Sequence, residues 1–259
     1  MARRCLEHGH RYFRLILPPP LDDGAYDPRL SAERLVAQLQ AVREAVGDRL
    51  ELMVDLHTRL APSEAMWFCR QVEGLALMVV EDALRSEHPH GYRQLRAHTA
   101  VPLAAGEQWA SKFEFRQVIE EELVDYVRPD LCICGGLTEG RKIAAMAEAH
   151  LIKILPHNPL GPICTAASLH LDLAVDNAGP QEVIFAPHQM LPDVFECSFE
   201  LVAGDTESPA PPAPPGLRLT VPKGPGLGVR FNREAARAHP PLMTEPPHFH
   251  RRDGSFSNY

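Results

Sequence analysis

Asp55, Glu81 and Glu107 recur at intervals of 26 residues, each at the end of an apolar run. Three carboxylates over one rim repel one another unless a cation neutralises them, and hard oxygen donors select Mg2+ over zinc or copper. The series continues through Asp130, His157 and Glu182, after 23, 27 and 25 residues. His157 is then a candidate base, and Asp130 could accept a hydrogen bond from one ring nitrogen, fixing the tautomer and raising basicity. His57, two residues past Asp55, is expected by strand alternation to point to the same side as that ligand. Each residue alone has an ordinary reading as a helix cap, an ion pair or a packed imidazole. The register of three carboxylates on consecutive runs favours a metal.

Such convergence demands repeated elements that end at a common rim. The apolar runs LELMVD, LALMVVE, VPLAAGE, LVDYVRPD and LIKILPH alternate with segments of helical periodicity. After the turn LPPPLDDG, the stretch SAERLVAQLQAVREAVG places Leu35, Leu39, Val42 and Val46 at helical spacing, with Ser31 as cap and Gly47 as stop. Further helices are expected around 63–72 and 91–99, after a capping box of Ser111 and Glu114, and over TEGRKIAAMAEAH. HRYFRLIL supplies the first strand. Apolar strands alternating with helices imply a parallel sheet covered on both faces. One βα unit fits each interval, as in a TIM-type (β/α) barrel whose strand ends meet at one mouth. A doubly wound open sheet brings together only the ends near its switch point, so the barrel fits better.

With 259 residues, 45% hydrophobic and 23% charged, the chain can bury one large α/β core. The expected division is a barrel over 1–203, followed over 204–259 by a Pro-rich connection, the last barrel elements and the tail. A net charge of −8 argues against nucleic-acid or anionic-membrane partners and favours a small molecule. No apolar run approaches the roughly 20 residues of a membrane span. MARRCLEHGHRYFRL lacks an apolar signal core, so the expected location is cytoplasmic. The six cysteines show no CxxC pairing and are expected to be reduced. C-I-C at 132–134 would put Cys132 and Cys134 on one face of a strand, as core packing. The histidines of HPH (88–90) and HFH (248–250) are expected to be solvated.

The motifs VDLH (54–57), VVED (79–82), AAGEQWASKFEF (104–115), RPDLCICGGLTEGRKIAAMAEAH (128–150), PHNPLGPI (156–163) and RRDGSFSNY (251–259) resemble the enolase superfamily. The resemblance is to its mandelate racemase/muconate lactonizing enzyme branch, and within it to acid-sugar dehydratases of the galactonate dehydratase type. It implies an enolase C-terminal domain-like barrel with Asp55, Glu81 and Glu107 as Mg2+ ligands. His157, paired with Asp130, would abstract the proton α to the substrate carboxylate. His57 would protonate the departing 3-hydroxyl, Glu182 would hydrogen-bond the carboxylate, and the product would be a 2-keto-3-deoxy sugar acid.

Two departures stand beside this resemblance. Met1 is followed almost at once by the first expected strand, so the N-terminal capping domain of such relatives is expected to be missing. A truncated product, or a reading frame begun at an internal Met, would account for it and would weaken activity. The second-base Lys-x-Lys of the racemases is replaced by Phe13, Arg14, Leu15 and Ile16. Dehydration is therefore favoured over the alternatives of a racemase or epimerase and of a catalytically silent barrel. The family's habit also suggests a homo-oligomer.

Overall fold

The computed structural model describes residues 1–18, 25–183, 186–203, 216–243 and 248–257. Most of LPPPLDDG, and ESPAPPAPPG (207–216) apart from its last residue, lie outside the described residues. The chain forms two compact units. The first comprises Met1–Ala105, Glu120–Tyr126 and Thr244–Tyr259; the second comprises Gly106–Ile119 and Val127–Met243.

In the first unit, α1 (Ala2–Glu7) and β1 (Tyr12–Ile16) lead to α2 (Pro28–Val46), β2 (Glu51–Asp55), α3 (Pro62–Val72), β3 (Val79–Glu81), α4 (Gly91–Arg96) and β4 (Leu103–Ala105). The strands neighbour one another in chain order and run parallel where β1, β2, β3 and β4 pair. Their register carries the functional argument, because Ile16 pairs with Asp55, Asp55 with Glu81 and Glu81 with Ala104. Leu52 to Asp55 and all of β3 and β4 are buried, as expected of strands covered on both faces. α3 supplies part of that cover with Ala65, Phe68, Cys69 and Val72 buried at i, i+3, i+4 and i+7. The helix opening at α2 differs from expectation: Pro28 takes the first helical position and Asp27 accepts from Leu30 N at 3.0 Å. Ser31 is instead buried inside the helix, and Gly47, at φ 57°, provides the expected stop.

The dividing line falls within β5 (Tyr126–Val127). Past α5 (Lys112–Glu120) and β5, α6 (Gly136–Glu148), β6 (Lys153–Ile154) and α7 (Pro162–Asp172) continue the alternation in the second unit, and Leu155 N donates to Val127 O at 2.9 Å. A single parallel bridge from Ile154 to Ala178 marks where a seventh strand would begin. Beyond it the strands change character. β7 (Phe195–Cys197) pairs antiparallel with β10 (Val229–Phe231), and β8 (Leu201–Ala203) pairs with β9 (Leu217–Leu219). Phe199, with Cys197, Leu219, Leu227 and Val229, packs against Ala166 and Leu169 of α7.

The C-I-C expectation is corrected by the turn that occupies 131–135: Cys132 is exposed, whereas Cys134 is buried. Asp130 causes this, because its carbonyl accepts from Ile133 N and Cys134 N and turns the chain before a strand can form.

Asp27→Ala removes the N-cap of α2 and should cost about 1 kcal/mol, read as a lower urea midpoint at unchanged slope. At the end of α7, burial pushes the Asp172 carboxyl up to about 7. The unfolded chain releases that proton near pH 4, about where model carboxyls titrate, so the folded state holds more protons in between. Stability should therefore fall as pH rises from about 4 to 7, and Asp172→Asn should flatten that part of the urea-midpoint profile.

Candidate active site

Asp55 and Glu81 are the last residues of β2 and β3, directly paired, so their side chains leave neighbouring strands side by side. Asp82 joins them: carboxylate oxygens of Asp55, Glu81 and Asp82 lie within 4.8 Å of one another, and all three residues are buried. Arg14, from the middle of β1, sets Nη1 at 3.0 Å from Glu81 Oε2 and 3.7 Å from Asp55 Oδ2. The donor set is entirely oxygen and largely anionic, which suits a hard divalent cation such as Mg2+.

The backbone bends sharply just past these carboxylates. His57, Thr58 and Asp82 adopt left-handed φ values of 50°, 58° and 43°, a region costly for residues with a Cβ. Asp82 could not be assigned from sequence for this reason, since an extended chain would send it to the face opposite Glu81. The position of His57 is likewise corrected. It belongs to a turn and not to the strand, and its backbone N–H donates to Asp55 Oδ1 at 2.7 Å. Burial, and secondarily the Arg59 guanidinium, hold its imidazole below the usual range, so it is neutral at neutral pH.

In the second unit, Gly106 follows β4 at φ 128°, where an added Cβ would come 2.4 Å from the Phe115 ring. The bare backbone passes close to the ring and presents Glu107, which is buried. His157 Nε2 lies 3.2 Å from Glu107 Oε2, and Nδ1 lies 2.8 Å from Asp130 Oδ2. Asp130 is fixed in turn because its Oδ1 accepts from Cys132 N at 2.7 Å. Glu182 is anchored as well: Oε2 accepts from Arg128 at 2.5 Å and from Asn158 N at 3.0 Å. Arg128, the largest fully buried side chain, also donates to Leu155 O at 3.1 Å.

The structure thus gathers the expected residues in two sets. Asp55, Glu81 and His57 stand in the first unit with Arg14 and Asp82; Glu107, Asp130, His157 and Glu182 stand in the second with Arg128. Sequence reasoning missed Arg14 and Arg128. Arginines inside or at the end of apolar runs were the available signal, because a buried guanidinium requires an acidic partner.

A buried carboxylate set at parallel strand ends, followed by a histidine–aspartate pair, defines a chain of the enolase type. The chain belongs to the enolase C-terminal domain-like family, which matches residues 1–235, and its fold class is the corresponding (β/α) barrel. It is 36% identical over 236 residues to a D-galactonate dehydratase of Variovorax paradoxus (strain S110), covering 90% of this chain and 60% of that protein. It is also 36% identical to the D-mannonate dehydratase Caul1427 of Caulobacter sp. (strain K31), covering 85% of this chain and 52% of that protein. The mandelate racemase/muconate lactonizing enzyme of Jannaschia sp. CCS1 superposes with a TM-score of 0.80 at 25% identity, covering 94% of this chain and 60% of its own. An enolase of Pantoea ananatis, with D-gluconate and Mg bound, gives 0.77 at 25% identity over 92% and 61% of the two chains. This chain therefore spans between half and about 60% of the length of these curated relatives.

The Arg128–Glu182 pair predicts an asymmetric response. Glu182→Ala takes a carboxylate partner from a buried guanidinium and should cost about 3–5 kcal/mol of stability. Glu182→Gln, which retains an acceptor oxygen, should cost less. Equal urea midpoints for the two variants would contradict this account.

Proposed function

We propose that this chain is a Mg2+-dependent dehydratase of sugar acids of the hexonate class, forming 2-keto-3-deoxy acids. The observation that carries the reading is His157, with one ring nitrogen engaged by Asp130 and the other turned toward Glu107. With Nδ1–H committed to Asp130, Nε2 is the atom left to take the proton α to the substrate carboxylate. We assign the Mg2+ ligands to Asp55, Glu81 and Glu107, on the strand-end register of the first two and the matching 26-residue interval of the third. When bound, Mg2+ supplies Lewis-acid stabilisation for the negative charge that develops on the substrate carboxylate.

Glu182, held in place by Arg128 and Asn158, is assigned to the substrate carboxylate, a contact that needs one proton shared between the two groups. His57 is assigned to the departing 3-hydroxyl. Because it is neutral at rest, it acts as an acid after taking up a proton in the presence of the anionic substrate, whose charge favours the imidazolium. Dehydration is preferred to racemisation because the first strand offers Arg14 where a second base would be needed. Its guanidinium stays protonated and is engaged with Glu81. The six cysteines, none of them in a disulfide, suit a reducing cytoplasm. The D-galactonate and D-mannonate dehydratase relatives support the substrate class.

Purified chain, incubated with a panel of hexonates and Mg2+, should form a 2-keto-3-deoxy acid detectable as a semicarbazone. His157→Asn should lower turnover roughly 10²- to 10⁴-fold, the usual contribution of a general base. Glu107→Gln should abolish the Mg2+ dependence. Unchanged rates in the His157 variant would sink the base assignment, and normal Mg2+ activation of the Glu107 variant would sink the metal assignment.

A further inference from the structure

A second group of metal-ligand type lies beside Asp130, and the proposed reaction does not use it. Asp130, Cys132 and Cys164 place a carboxylate oxygen and two sulfurs within 4.8 Å of one another. Cys132 stands exposed in the turn after β5, whereas Cys164, in the first turn of α7, and Asp130 are buried. Two buried donors thus stand beside one on an exposed residue.

We propose that Asp130, Cys132 and Cys164 bind a thiophilic divalent cation of the zinc type, and that filling this site inhibits the enzyme by drawing Asp130 away from His157. Donor chemistry argues for the cation: two thiolates select zinc-like ions over Mg2+, the reverse of the oxygen-only set around Asp55. Size agrees, because two sulfurs bonded tetrahedrally to zinc at about 2.3 Å stand about 3.8 Å apart, within the observed spacing. Three protein donors also leave a fourth position for water, reached past the exposed Cys132.

The inhibitory consequence rests on the proposed base role of His157. Asp130 Oδ2 lies 2.8 Å from His157 Nδ1, so a cation bonded to that carboxylate competes with the imidazole for it.

The test uses Co2+ as a spectroscopic substitute for zinc, with the metal-free chain of 259 residues kept reduced by a non-thiol reductant. Titration should yield one thiolate-to-cobalt charge-transfer band in the near ultraviolet, saturating at one ion per chain and bleached by Zn2+. Cobalt on the Asp55 carboxylates cannot produce that band, so the result stands apart from any turnover measurement. Cys132→Ser and Cys164→Ser should each remove most of the band. Cys132 is exposed, so its variant remains informative if the Cys164 variant folds poorly. Zn2+ in the presence of excess Mg2+ should inhibit hexonate turnover by the wild type and spare the Cys132→Ser variant. Absence of the band, its persistence in Cys132→Ser, or loss of two titratable thiols without bound metal would each overturn the proposal. A band without any turnover would leave the cation site standing and refute only the dehydratase reading.

Discussion

Buried negative charge is the constraint on which the rest of the first unit depends. Asp55, Glu81 and Asp82 crowd their carboxylates into a space where water cannot screen them, and like charges so placed disfavour folding unless cations answer them. Arg14 answers part of the charge, touching both Glu81 and Asp55. Arg14 brings a fixed positive charge to this set. An arginine suits this place because it keeps its charge when buried and reaches two acceptors from one rigid plane. The carboxylate set and the arginine are therefore parts of one electrostatic arrangement.

That arrangement fixes the backbone around it. Asp55 and Glu81 stand in direct register, and the ladder continues past the strand ends through Leu56 N to Glu81 O, Thr58 N to Asp82 O and Asp82 N to Ala104 O. Those bonds hold His57, Thr58 and Asp82 in left-handed conformations that cost of order 1 kcal/mol or more each. Such strain persists because ladder bonds and buried carboxylates over-determine the geometry. A relaxed, extended continuation would carry Asp82 away from Glu81.

Much of this was legible in the sequence, for identifiable reasons. Strand runs buried on both faces read as unbroken apolar segments, and the equal spacing of Asp55, Glu81 and Glu107 follows from one βα unit per interval. The dyad of Asp130 and His157 was legible because each lies three residues beyond a short strand, β5 or β6. What failed was local geometry. Alternation was carried past the last ladder residue to His57, where a left-handed turn takes over, and to Cys132 and Cys134, where bonds to the carbonyl of Asp130 make a turn. The second helix opens four residues before Ser31, because Asp27 caps it and Pro28 fits the first helical position. Short side chains that bond to nearby backbone decide such points, and hydrophobic periodicity carries no record of them.

The two kinds of functional residue are consequently held in different ways. Asp55 and Glu81 take their positions from the sheet ladder, which is cooperative and insensitive to any one side chain. Asp130 and His157 lie beyond the strands and take theirs from a chain of side-chain contacts: Cys132 N holds Asp130, and Asp130 holds His157. A proposed metal site benefits from the first kind of support, since ligand distances must hold within a few tenths of an ångström. A proposed base tolerates the second kind, because its ring must shift between resting contacts and the proton it removes. The same looseness makes Asp130 the point through which a neighbouring group could act on catalysis.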